Sequence, residues 1–140
     1  MINIKNITAL LLIASLFYSC EEGGVFGNNG PVAVGHLVTI TLEIKHHSRN
    51  LPDCKVGLKK NTLAYNSKDF STYDEVAYSN SNGFLQLFNK QYGDYYFYVE
   101  GYDVAIADSV HGYLSLTVDS STIEKIGNDY SQYAVVYVTE

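Results

Sequence analysis

The stretch HLVTITLEIKHH, residues 36 to 47, alternates apolar and polar side chains from Val38 to Lys45. Successive side chains on an extended strand point to opposite faces, so Val38, Ile40, Leu42, Ile44 and His46 share one side. Thr39, Thr41, Glu43, Lys45 and His47 fall on the other. A strand of this kind has one face that must be covered by a second layer, and that requirement limits the architectures open to the chain. The same period returns in CKVGLKK, with Cys54, Val56 and Leu58 inward and Lys55 and Lys59 outward. Pro52 suits a position just before a strand, because proline cannot donate to a ladder.

Further along, DEVAYS and GFLQLF read as a hairpin pair joined by NSNG, since Asn82 and Gly83 both tolerate positive φ. GDYYFYVEGYD sets Tyr95, Phe97 and Val99 against Tyr96, Tyr98 and Glu100, and YLSLTV and YAVVYVTE repeat the alternation. Between these last two, Ser121 and Glu124 stand at capping-box spacing with Gly127 after them, which predicts at most one short helical turn. About seven short strands punctuated by turns imply an all-β, antiparallel Greek-key β-sandwich over residues 36–140. No amphipathic helix is present to make βαβ crossovers, so a parallel sheet is not expected.

The N-terminus obeys different rules. Ile7 to Tyr18 is almost entirely apolar but too short for the roughly 20 residues of a spanning helix. With Lys5 ahead of it, the run fits a secretory signal peptide over residues 1–19. Cys20 follows, then EEGGVFGNNGPVAVG, whose glycines and single proline predict a flexible tether over 20–35. Ser19-Cys20 at the end of the apolar run resembles a bacterial lipobox, with bulky Phe17 and Tyr18 as in the relaxed lipoboxes of Bacteroidota. Glu21-Glu22 is similar to the acidic signal that directs lipoproteins of that group to the outer leaflet. The resemblance implies an acylated Cys20, membrane lipid as a partner, and an outer-membrane location with the surface side favoured. The alternative is an ordinary Cys20 that is free to pair with Cys54.

A second resemblance lies in YSNSNGFLQLFNKQYGDYYFYVEGYD. Gly83-Phe84, Phe88, Gly93 and Tyr95 stand where prealbumin-like sandwich domains, of the carboxypeptidase-regulatory and transthyretin-like type, carry turn glycines and aromatic strand starts. Asn89 to Tyr92 replaces the usual Leu-x-Pro turn. The domain type also resembles small Bacteroidota lipoproteins with no assigned activity.

Composition narrows the function classes. Nine Lys+Arg against fifteen Asp+Glu give a net charge of -6, the wrong sign for nucleic acid. Two cysteines make neither a disulfide framework nor a zinc knuckle. G-x-S-x-G is absent, and Cys54 falls on the apolar side of its strand, where a thiol packs inertly. The transthyretin-like hydrolases end in Tyr-Arg-Gly-Ser where this chain has Tyr137-Val138-Thr139-Glu140. The iron-binding H-x-H pair of intradiol dioxygenases is missing.

What remains is a non-catalytic envelope protein acting as a binding or structural module, with no cofactor expected. Thirteen tyrosines suggest a carbohydrate-binding alternative, with Tyr96, Tyr98 and Tyr137 as candidate contacts for a glycan or protein partner. A metal-binding alternative rests on His46 and His47, although strand alternation predicts that their rings diverge and that other donors must join one of them.

The anchor has a direct test. The protein purified from its native membrane should have the mass of residues 20–140 plus acyl chains, and Cys20→Ala should abolish the added mass. An unmodified mass beginning near Cys20 would make this a soluble secreted domain.

Overall fold

The computed structural model describes residues 35–140; the leader, Cys20 and most of the tether lie outside the described residues. The described chain forms nine strands in two packed sheets: β1 (Val38–His46), β2 (Arg49–Asn50), β3 (Lys55–Lys60), β4 (Glu75–Tyr78), β5 (Phe84–Lys90), β6 (Gly93–Asp103), β7 (Asp108–Val118), β8 (Glu124–Ile126) and β9 (Asp129–Val138). The expected all-β sandwich is thus present, with β2 and β8 as short additions to the seven longer strands.

β1 organises the first sheet. β9 runs along one edge of it from Val38 to His46, while β5 and then β2 share the other edge. β8 extends the sheet beyond β9. The second sheet has the order β4-β3-β6-β7 and is antiparallel throughout. A two-way backbone bridge between His111 and Thr139, at 2.8 and 2.9 Å, joins the sheets at one corner.

The inward faces follow the period-two reading. Ile40, Leu42 and Ile44 of β1 meet Val56 and Leu58 of β3, Phe97 and Val99 of β6, and Val136 and Val138 of β9, all buried. Burial of side chains of this size stabilises by about 1.5–3 kcal/mol each before entropy is counted. Cys54 is buried and unpaired.

Three local expectations are corrected. The β1–β9 pair is parallel. These are the first and last strands of the domain, so the rest of the domain supplies the long return that parallel pairing needs, and no crossover helix is required.

The Asn80–Gly83 turn forms, with Asn80 Oδ1 accepting from the Asn82 and Phe84 amides and Gly83 at φ +78°. It joins strands of different sheets, however, because β4 pairs with β3 and β5 pairs with β1. Turn chemistry reverses the chain without choosing its neighbour.

Ser121 caps no helix. Asp119 accepts from Ser121, Glu124–Ile126 is extended, and Gly127 at φ +65° turns a β8–β9 hairpin. Gly127-Asn128 is a hairpin signal rather than a helix stop. Among the described residues the one helical turn is a 3-10 turn at Phe70–Thr72.

That turn belongs to the segment between β3 and β4, which folds across the outer face of the second sheet. Tyr73 lays its ring on Gly57, where a Cβ would stand 2.7 Å from the ring, and donates its hydroxyl to the Ser67 carbonyl at 2.5 Å. Ser115 of β7 donates to the Leu63 carbonyl. Gly57→Ala should therefore displace Tyr73 and cost about 1–3 kcal/mol by overpacking. Urea denaturation should read that loss, together with faster proteolysis between residues 61 and 74; an unchanged midpoint would show that Tyr73 does not need this glycine.

Candidate functional site

The inward set of β1 ends in a polar residue. His46 continues the row of Leu42 and Ile44 and is 1% exposed, so its ring nitrogens depend on the protein for partners. Asp103 meets it from the second sheet as the last residue of β6, where it closes the inward row of Tyr95, Phe97 and Val99. His46 Nδ1 lies 2.7 Å from Asp103 Oδ2. Arg49 Nη2 donates to the same oxygen at 3.1 Å, and the Ala105 amide donates to Oδ1 at 2.8 Å.

The hydrogen bond from His46, then that from Ala105, holds the Asp103 carboxyl below the usual aspartate range. An ionised carboxylate only accepts, so the hydrogen of the pair sits on Nδ1, and the other ring nitrogen is Nε2. That nitrogen is buried without a hydrogen-bond partner, the one such side-chain atom among the described residues.

His47 does not diverge as alternation predicts. It opens the two-residue turn between β1 and β2 at φ +53°, in the left-handed region that histidine enters more readily than most residues. The turn brings its ring back beside His46, with centroids 4.2 Å apart and planes at 39°. Glu140, just beyond β9, completes the group. Its Oε1 is 3.5 Å from His46 Nε2 and 3.9 Å from His47 Nε2. One donor atom from each of the three residues lies within 4.8 Å of the others, which is close enough to share an ion. His47 and Glu140 are 69% and 53% exposed, so the cluster opens to solvent from a buried base.

The candidate tyrosines are not gathered in one place. Tyr96 and Tyr98 lie on the outer face of the second sheet, and Tyr137 lies on the outer face of the first beside Tyr133. Tyr98 is 5% exposed beneath Phe70 and Tyr73. Tyr96 instead pairs with exposed Tyr113, with centroids 6.3 Å apart and planes at 15°. His36 stacks on Tyr130 near the start of β1, away from His46. Cys54 is withdrawn from chemistry, its thiol pushed up to about 11 by burial.

Reading the alternation one step further identifies Asp103, the one acid on the inward set of its strand. Arg49, the single arginine of the chain, is a second signal. Glu140 carries none, because only the fold brings the residue after β9 to the β1 turn.

On the outer face of the first sheet, the Tyr133 hydroxyl donates to Glu43, which Lys45 Nζ also contacts at 3.1 Å. The Tyr133 hydrogen bond is the main reason the Glu43 carboxyl is lowered, and the Tyr133 phenol is pushed up to about 12 by the same contact.

No family model matches the chain, and no curated protein matches it. Among solved structures, it is similar to the dioxygenase domain of a dioxygenase–carbohydrate-binding protein fusion from the cellulolytic bacterium Streptomyces sp. SirexAA-E. That similarity has a TM-score of 0.45 at 8% identity, covering 84% of this chain and 94% of that one.

The Glu43–Tyr133 contact has a signed pH consequence. A phenol raised in the folded state adds stability that is complete below its unfolded value of 10 and is lost as pH climbs to about 12. The folded protein should lose stability across that window by an amount that Tyr133→Phe reduces. Urea midpoints measured on both sides of the window check it; equal losses in the two proteins would show that the contact contributes nothing.

Proposed function

We propose that this chain is a lipid-anchored binding module of the cell envelope whose ligand is taken up at the end of the sandwich, where His46, His47 and Glu140 converge. The observation that carries the reading is His46 Nε2, a buried ring nitrogen with no hydrogen-bond partner at the floor of a cluster whose other members face solvent. A buried polar atom left unsatisfied costs about 1–3 kcal/mol, and a ligand that engages it removes that cost on binding. Anchorage rests on Ser19-Cys20 and the glutamates behind it, and it would hold the module at the outer membrane with the surface side favoured. Two or more acyl chains on Cys20 suffice for stable anchoring.

A second reading is carbohydrate or protein recognition on the outer face of the second sheet. It is favoured by the near-parallel Tyr96–Tyr113 pair, since exposed phenol rings offer apolar area together with a hydroxyl.

A thermal-unfolding screen of the detergent-extracted protein separates the two. Metal ions, small anions and oligosaccharides serve as probes, because a ligand that binds only the folded state raises the midpoint. The first reading expects at least one stabilising ligand whose effect disappears in both His47→Ala and Glu140→Gln. A ligand that survives those variants but is lost in Tyr113→Ala would replace it with the second reading.

A further inference from the structure

Resting on that reading, we infer that the ligand of the His46–His47–Glu140 cluster is a divalent first-row transition metal ion of the zinc class, bound by three side chains with one coordination position left open. Three independent features of the cluster point the same way.

The donor set comes first. Two imidazole nitrogens and one carboxylate oxygen suit zinc, copper or nickel, whereas calcium and magnesium demand six or more oxygens or retained water. An imidazole nitrogen that carries no hydrogen offers the lone pair that a Lewis-acidic cation requires.

Geometry comes second. In a tetrahedral site with bonds of about 2.0–2.1 Å, neighbouring donors stand about 3.3 Å apart. The Glu140 oxygen is already 3.5 Å from His46 Nε2 and 3.9 Å from His47 Nε2. Closing the remaining gap falls to His47 and Glu140, the two exposed members, while His46 stays fixed in the core.

The partner of His46 is the third feature. Metal-binding histidines almost always donate their second ring N–H to a carboxylate or carbonyl, which sets the tautomer and the ring plane. Asp103 occupies that place at 2.7 Å, and Arg49 and the Ala105 amide fix Asp103 in turn. Asp103 is thus a positioning residue: it touches no ion, but it aims Nε2 at the cluster. With three protein donors and an exposed outer side, the fourth position falls to water or to a donor from another molecule, as in zinc sites that remain open.

The test uses the untagged full chain, extracted in detergent and stripped with a chelator. Calorimetric titration with Zn2+ should show one site per chain. Co2+ should give the visible absorption of a tetrahedral site, displaced by Zn2+ and untouched by excess Ca2+. His47→Ala and Glu140→Gln alter exposed side chains and should leave the unfolding midpoint of the stripped protein in place, each weakening Zn2+ at least about tenfold. Asp103→Asn should weaken it by about 10–100-fold and perturb the Co2+ spectrum at unchanged stoichiometry, which a merely structural role would not do.

Zinc binding with unchanged affinity in both His47→Ala and Glu140→Gln would overturn the inference. So would an absence of Zn2+ and Co2+ binding. If no metal binds but an anion or sugar stabilises the protein in a His47- and Glu140-dependent way, the metal assignment falls and the binding-site reading stands. If nothing depends on these residues, both fall.

Discussion

Every other strand of the first sheet is registered directly or indirectly on β1. Its nine residues pair with β9 along one edge and with β5 and β2 in succession along the other, so a shift of one residue would break three pairings at once. Because side chains alternate strictly, such a shift would also send Ile40, Leu42 and Ile44 to solvent. The core therefore locks the register, and the register dictates where the strand ends. The residue that follows Ile44 on the inward face is His46, and no local preference can turn it outward without giving up the core behind it. The polar end of the sandwich is thus a consequence of apolar packing elsewhere.

That consequence has to be compensated. A buried imidazole with both nitrogens unsatisfied would be strongly unfavourable, and a buried aspartate with no cation or donor would be worse. The two residues are offered by different sheets at the same depth, and their 2.7 Å contact satisfies one nitrogen and one carboxylate oxygen together. Arg49, more than half exposed, brings a positive charge to the same oxygen from the solvent side, and the Ala105 amide takes the other. The arrangement also ties the sheets at the end of β1, near the corner where His111 and Thr139 bridge them through the backbone. Both devices sit where β1 and β9 end.

How much of this was legible in the sequence depended on whether the deciding interaction was local. Alternation along β1, β3 and β6 is a property of single strands, and the inward residues follow from it one by one. Gly83 and Gly127 mark turns for an equally local reason, since both adopt positive φ. Which strands those turns join is a long-range matter. Gly83 hands the chain from the second sheet to the first because the β1 edge is available to β5, a fact that no window around Asn82 contains.

His47 shows the same limit at its smallest scale. Alternation places it opposite His46, yet one left-handed residue at the turn undoes the alternation and sets the rings side by side. The tyrosines divide for the complementary reason. Tyr96 and Tyr98 share a strand face, but Tyr98 lies under Tyr73 only because Gly57, its neighbour across the ladder, leaves room for that ring.

One asymmetry of the histidine corner bears on why a histidine stands at position 46 at all. If the position served packing alone, an aliphatic side chain could continue the row of Leu42 and Ile44, with an apolar residue in place of Asp103. Exchanging a buried polar pair for well-packed apolar residues is often neutral or stabilising. The pair instead satisfies only half of the imidazole: Nδ1 is engaged, while Nε2 is left buried and unpartnered, aimed at two donors that nothing in the core requires. Rigid placement of one donor beside two adjustable ones is the division of labour that a binding site needs, since the fixed member sets the geometry and the exposed members close on what arrives.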